Sequence, residues 1–319
     1  MTYKRLLDSH GILTARRTTS IEAIRRLETA TSSEGWLASP ELSVFVAGSL
    51  GRLEAGSRSD IDFFPVTNKD DLGRSFLRNC QIVAALSRVN AELDGPPFSN
   101  DGRFLRVYKL SDMVSRAGYE DDDSSNHFTT RMLMILEGRP VLNHDLLHSI
   151  RAAVADHYYK DGRGKKKFRP LFLLNDILRY WRTLCLNYEK VRTEAKPWRK
   201  KNINLKFSRM LTVYATVLPI LLEQLNRPES LLEMCAFTPL ERLVQALEYL
   251  GDARLLEEFP RFLDTYARFL EWKDDDSIEP RLEELSPRIR EAASFFANYL
   301  FRALMHDRIQ PDLRRYLVV

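Results

Sequence analysis

Cysteine is scarce in this 319-residue chain, and the few that occur do not cluster. Cys80, Cys185 and Cys235 are odd in number, far apart and without a CxxC pair, which argues against a disulfide framework and a zinc knuckle and favours a reducing cytoplasm. Long apolar runs are missing too. The longest, "LTVYATVLPILL" from Leu211 to Leu222, falls short of the roughly 20 residues that cross a bilayer, so a soluble protein with no membrane partner is expected. The opening "MTYKRLLDSHGILTARR" mixes charges through its apolar positions and lacks the continuous apolar core of a signal peptide. No internal repeat or low-complexity tract is visible. His144 and His148 are spaced i, i+4, and His-Asp dipeptides stand at His144-Asp145 and His306-Asp307. Neither an HExxH motif nor a full His-Asp hydrolase set accompanies them, so they read as surface or helix-end residues.

What is present is enough apolar material, 44% of the chain, to build a core for one large domain or two ordinary ones. Two are expected. The net charge of +4 is small beside a 29% content of charged residues, so local clusters matter more than the total. Up to about residue 150, short β-rich runs ("LSVFVAG", "DIDFFPV", "RFLRVYKL") alternate with helical stretches such as "DLGRSFLRNCQIVAALSRVNAEL". Beyond it, apolar residues recur every three or four positions from "FRPLFLLNDILRYWRTLCLNYEKV" to "PRIREAASFFANYLFRALMHDR". The expected fold class is therefore α+β: a small mixed β-sheet domain with helices over 1–150, then an α-helical bundle over 151–319. "KDGRGKKKFRP" (Lys160 to Pro170) is the expected loop between them.

The stretch "VFVAGSLGRLEAGSRSDIDFFPV" (Val44 to Val66) carries the chemistry. In a strand, side chains alternate, so Asp60 and Asp62 share one face while Ile61 and Phe63 share the other. Paired carboxylates repel, and their placement at the start of a strand makes sense if divalent cations sit between them. Gly48 and Ser49 end the preceding strand where a helix begins, and backbone N–H groups with a serine hydroxyl there suit a phosphate chain.

This pattern resembles the nucleotidyltransferase signature of the DNA polymerase β superfamily. With Gly51, Arg52, Glu54, Ser59 and Asp60 in "GSLGRLEAGSRSDIDFF", it looks more particularly like the branch of bacterial PII-uridylyltransferase and related free-standing enzymes. The likeness covers roughly residues 40 to 150. It implies Mg2+- or Mn2+-dependent transfer of a nucleoside monophosphate from a nucleoside triphosphate, ATP among them, to an acceptor hydroxyl, with release of pyrophosphate. Asp60 and Asp62 are the implied metal ligands. A third carboxylate on a neighbouring strand normally completes such a site, but "RFLRVYKL" contains no acid, and Asp101 just before it is the candidate; an Asp-Gly turn is its plainer reading. Gly48, Ser49 and Arg52 are the implied nucleotide-binding residues of the turn, and Lys206 and Ser208 in "NLKFSRML" those of the helical part, with Leu205, Phe207, Met210 and Leu211 as core. Arg52 and Glu54 have a second reading, as a pair that fixes the turn. "EDDDSSNHF" (Glu120 to Phe128) reads as N-cap chemistry, not as a metal site.

The acceptor stays open. Basic clusters at Lys165, Lys166, Lys167 and Arg169, and from Lys196 to Arg209, favour a nucleic acid or a growing oligonucleotide, as in compact relatives of toxin and antiphage defence loci. A solvated face is their plain meaning. Nucleotidylation of a hydroxyl on a partner protein, uridylyl or adenylyl, is the alternative, including self-modification at Tyr316 on a tail that Pro311 releases from the last helix; a tail that docks Leu317 and Val318 on the bundle is its plain reading. A non-catalytic nucleotide-binding module is the third reading.

Overall fold

The computed structural model describes every residue except 1, 57–58, 99–101, 103, 166–167, 194–197, 276–277 and 318–319. In chain order, helices α1 (Tyr3–Asp8) and α2 (Gly11–Ser33) precede strand β1 (Leu42–Val46), the single turn α3 (Gly48–Gly51) and strand β2 (Phe63–Thr67). Next come α4 (Asp70–Arg74), α5 (Phe76–Glu92), β3 (Tyr108–Lys109), α6 (Leu110–Ser115), α7 (Glu120–Ser124), α8 (His127–Leu136), β4 (Arg139–Leu142) and α9 (His144–Tyr158). After them the regular elements are helical: α10 (Leu171–Thr193), α11 (Trp198–Asn204), a π-helical turn (Leu205–Arg209), α12 (Met210–Leu221), α13 (Pro228–Cys235), α14 (Pro239–Leu250), α15 (Ala253–Asp274), α16 (Ile278–Leu304) and α17 (Pro311–Arg314). The protein is mostly helical with one mixed sheet, an α+β fold. No described helix is long and apolar enough to cross a membrane.

The sheet runs in the order β3-β2-β1-β4, with β1 antiparallel to both neighbours and β2 parallel to β3. "LSVFV" and "FFPVT" are apolar on both faces because both faces are covered. Val44, Val46 and Phe63 join Leu27 of α2 and Ile82, Leu86 and Val89 of α5 in one core. On the other face Phe45 stacks on its register partner Phe64, with ring centroids 5.1 Å apart. "RFLRVYKL" is strand at only two residues, and two causes are visible. Ala47 N donates to Asp62 O, so residues 62, 64 and 66 turn to β1 and Pro65 turns to β3, where it has no N–H to give. Upstream, Asn79 Oδ1 accepts the Val107 N–H (2.9 Å), replacing a ladder bond.

The chain forms two compact units that are not consecutive halves. One, the sheet unit, is Ala15–Gly164 with Arg227–Thr238; the other, the helical unit, is Met1–Thr14, Lys165–Asn226 and Pro239–Val319. Residue 150 lies inside α9, and α13 packs back on that helix. The helical unit has an aromatic centre. Phe262 stacks on Phe296 at 4.5 Å, and Phe207 stacks on Phe269 at 4.9 Å, as the expected core position of Phe207 requires.

Of the two readings of the tail, the free segment is not what forms. Pro311 opens α17, Leu313 is buried, Arg314 donates to the carbonyls of His306 (3.0 Å) and Ile309 (2.9 Å), and Asp312 pairs with Arg169 (2.7 Å). Proline at the first helical position starts a helix as readily as it stops one. Tyr316 is half-buried in the 3-10 turn Arg315–Leu317 and does not lie on a free segment.

Candidate functional site

The two aspartates precede β2 rather than belonging to it, yet the alternation expected of a strand already holds. Asp60 is exposed, Ile61 buried, Asp62 half-buried and Phe63 buried, and Ile61 and Phe63 enter the same core. The apolar residues anchor the segment, and the carboxylates stand on the side away from that core.

Opposite Asp62 the chain turns at Gly48. Its φ is +68°, and a Cβ there would sit 2.8 Å from Asp62 Oδ2, so only glycine allows both the turn and the carboxylate's close approach. Gly51 is held as tightly, because a Cβ on it would lie 1.9 Å from the carbonyl oxygen of Glu137. Ser49 is buried, and its Oγ has no hydrogen-bond partner among the described residues.

Residues far apart in sequence hold this turn. Glu137, at the end of α8, accepts the Gly48 N–H on Oε1 (3.1 Å) and the Arg52 guanidinium on Oε2 (2.6 Å). Arg52 Nε donates to Glu54 Oε1 (2.6 Å). All three charged residues are buried, at 5% exposure or less for Arg52 and Glu137 and 6% for Glu54. From α2, Arg16 donates to the Glu54 carbonyl (3.3 Å) and Ser20 Oγ accepts the Ala55 N–H (2.9 Å). Of the two readings of Arg52, pairing within the turn is the one its surroundings match. The Gly48 N–H, expected to face a phosphate, is already bonded to Glu137.

Sequence reasoning missed Glu137. Its signal was a single acid closing the apolar run "RMLMILEG", where a helix end facing water would carry no cost, but a carboxylate fully buried must have partners. "EDDDSSNHF" also differs from its expected capping role. Asp122 is fully buried and bidentate to Arg131 (3.0 and 2.8 Å), accepts the Gly118 N–H (3.1 Å), and α8 starts at an Asn126 with no side-chain cap.

Asp101 lies outside the described residues. Its neighbour Gly102 lines a small cavity together with Asp62 and Phe98. Among the described residues no third His, Cys, Asp or Glu converges on the aspartate pair. Lys206 and Ser208 belong to the π-helical turn of the helical unit. Lys206 is half-buried there, whereas Ser208 is buried and donates to Asn204 O (3.4 Å), which gives its hydroxyl a local use. Of the basic cluster, Lys165 is exposed beside Phe168, 6.0 Å from the ring centroid, and Lys166, Lys167 and Lys196 lie outside the described residues. His144 begins α9 and pairs with Glu28 (3.1 Å), and His148 is exposed.

Comparison with known protein families finds no match, and comparison with curated proteins finds none.

Proposed function

We propose that the sheet unit is the catalytic part of a metal-dependent nucleotidyltransferase. The observation that carries this reading is the meeting of Gly48, Ser49 and Asp62: a positive-φ glycine packed against a carboxylate oxygen, next to a buried hydroxyl without a partner among the described residues. Mg2+ or Mn2+ bound by Asp60 and Asp62, with Asp101 as the proposed third ligand, would supply charge to bind a triphosphate and to acidify an attacking hydroxyl. Ser49 Oγ donates to a phosphate oxygen. The Glu137–Arg52–Glu54 set keeps the turn rigid, so the donor and the carboxylates keep their spacing while the substrate changes. The acceptor oxygen bonds to the α-phosphorus, the bond to the β-phosphate oxygen breaks, and pyrophosphate leaves. A nucleic-acid or oligonucleotide hydroxyl is the preferred acceptor, on the strength of the chain's exposed cations, Lys165 and Lys201 among them.

Incubation of the full chain with each labelled nucleoside triphosphate and Mg2+, followed by separation of small molecules, nucleic acid and protein, tests the reading. Labelled product is expected from the parent. Asp60→Ala and Asp62→Ala should each lower its rate by more than about 100-fold, since even residues that only orient a metal ligand contribute 10–100-fold. Both should stay folded, because each removes one of two repelling charges. Near-parental turnover in both variants overturns the proposal.

A further inference from the structure

A second feature of the sheet unit lies along its β3 edge, where a cavity of about 760 Å³ opens between α5 and the segment leading into β3. That volume falls within the roughly 300–1,000 Å³ of small-molecule sites. Its charged lining is mainly cationic. Arg74, Arg106 and Lys109 face a single carboxylate, Asp112, which Lys109 (2.9 Å) and Arg116 (3.2 Å) already engage. Arg74 makes only an exposed 3.4 Å contact with Asp70. Arg106 lies over the Tyr108 ring, 5.1 Å from its centroid, and one amino group is 3.3 Å from His127 Nε2; among the described residues it has no carboxylate partner. A guanidinium fixed by a ring and an imidazole, with donors left over, is arranged to take an anion.

The rest of the lining is apolar. Val83 and Ala84 of α5 and Leu105 form a wall, and Phe76 at the start of α5 is 77% exposed. An aromatic ring left in water on the lining that also carries Arg74 and Arg106 offers a flat body a surface to stack on. The two halves together suit a ligand that is both anionic and flat, more than a bare inorganic ion or a neutral apolar molecule.

We propose that this cavity binds an organic phosphate with a planar body, of the nucleoside monophosphate class, at a site separate from Asp60 and Asp62. The phosphate meets Arg106, Arg74 and Lys109, and the planar body lies on the Phe76 and Leu105 side. No metal is required, because the cations are the protein's own. The proposal stands apart from the reading of the aspartate turn.

Cys80 supplies the test, because it is exposed and lines this cavity, while Cys185 is half-buried and Cys235 buried. The full chain is titrated with adenosine monophosphate in EDTA by calorimetry, and alkylation of each cysteine is followed by peptide mass. Expected are saturable binding and slowing of Cys80 alkylation by at least about tenfold at saturation, with Cys185 unaffected. Adenosine alone and inorganic phosphate alone should each protect Cys80 far less. Arg106→Glu, an exposed change whose folding circular dichroism checks, should weaken binding more than about tenfold, and Asp62→Ala should leave it unchanged. Absence of binding at millimolar nucleotide, binding without protection of Cys80, or equal affinity in Arg106→Glu overturns the proposal. So does protection by a single-stranded oligonucleotide where the mononucleotide gives none, which would assign the surface to nucleic acid.

Discussion

The two units are held together by different chemistry. The sheet unit buries charge: Arg131 against Asp122, and Arg52 between Glu54 and Glu137. The helical unit buries Arg242 beside Thr216 (3.1 Å), but its centre is rings, with Phe262 against both Phe296 and Tyr299 at 4.5 Å. Ring packing tolerates many arrangements of similar volume, whereas an ion pair without water requires particular partners at particular distances. In the sheet unit these pairs serve two places: Arg52 with Glu54 and Glu137 holds the Gly48 turn, and Arg131 with Asp122 ties α8 to α7.

The sharpest way to break this comparison is to remove one member of a buried pair. Asp122→Ala leaves Arg131 uncompensated and should cost about 3–5 kcal/mol by denaturant unfolding, while the double change Asp122→Leu with Arg131→Met should recover most of the loss. Phe262→Ala should cost a similar 3–5 kcal/mol through its cavity, with no single partner change that rescues it. Equal rescue in both units, or none in either, would remove the distinction.

A smaller effect separates support from binding at the turn itself. Glu137→Gln should lower stability by about 1–3 kcal/mol, since Arg52 loses a charged partner. Ser49→Ala should be close to neutral for the fold, because its hydroxyl has no partner among the described residues, yet should weaken nucleoside triphosphate binding by about tenfold, the worth of a hydrogen bond to a charged group. Calorimetry on both variants reads this; a Ser49→Ala variant that is less stable but binds normally would make the hydroxyl structural.

The smallest expected effect is on pH. Burial holds the His127 imidazole below its ordinary pKa, with Asp112 opposing and Arg106 and Arg116 assisting. The unfolded chain then takes up the proton first as pH falls. The contribution is whole above about pH 6.5 and is lost as pH drops through the lower folded value. For Asp112, burial acts upward, but the hydrogen bond and charge of Lys109, joined by His127 and Arg116, hold the carboxyl below its usual range, so its contribution is lost only below about pH 4. Urea unfolding at pH 7.5 and 5.5 should show a decline that His127→Gln reduces; an unchanged decline would place it in other groups.

Local periodicity is what the sequence made legible. Period two put Asp60 and Asp62 opposite Ile61 and Phe63, and period 3.6 marked the helices after residue 170, because both depend on neighbours along the chain. Partners at long range were not legible. Arg52 and Glu137 are 85 positions apart, and no spacing rule links them. The two-residue length of β3 depends on where Pro65 points, and the docked tail on Arg314 meeting carbonyls of a preceding loop. The likeness of "GSLGRLEAGSRSDIDFF" to nucleotidyltransferases rests on side-chain type and order along one short stretch, which a sequence displays directly.

The most direct measurement is Mn2+ titration of the full chain by electron paramagnetic resonance, with and without a nucleoside triphosphate, in the parent and in Asp60→Asn and Asp62→Asn. The account predicts Mn2+ binding that tightens when the triphosphate is present and is lost in both variants, with the fold retained. Mn2+ binding that is absent from the parent, or that is the same in all three proteins, would contradict it.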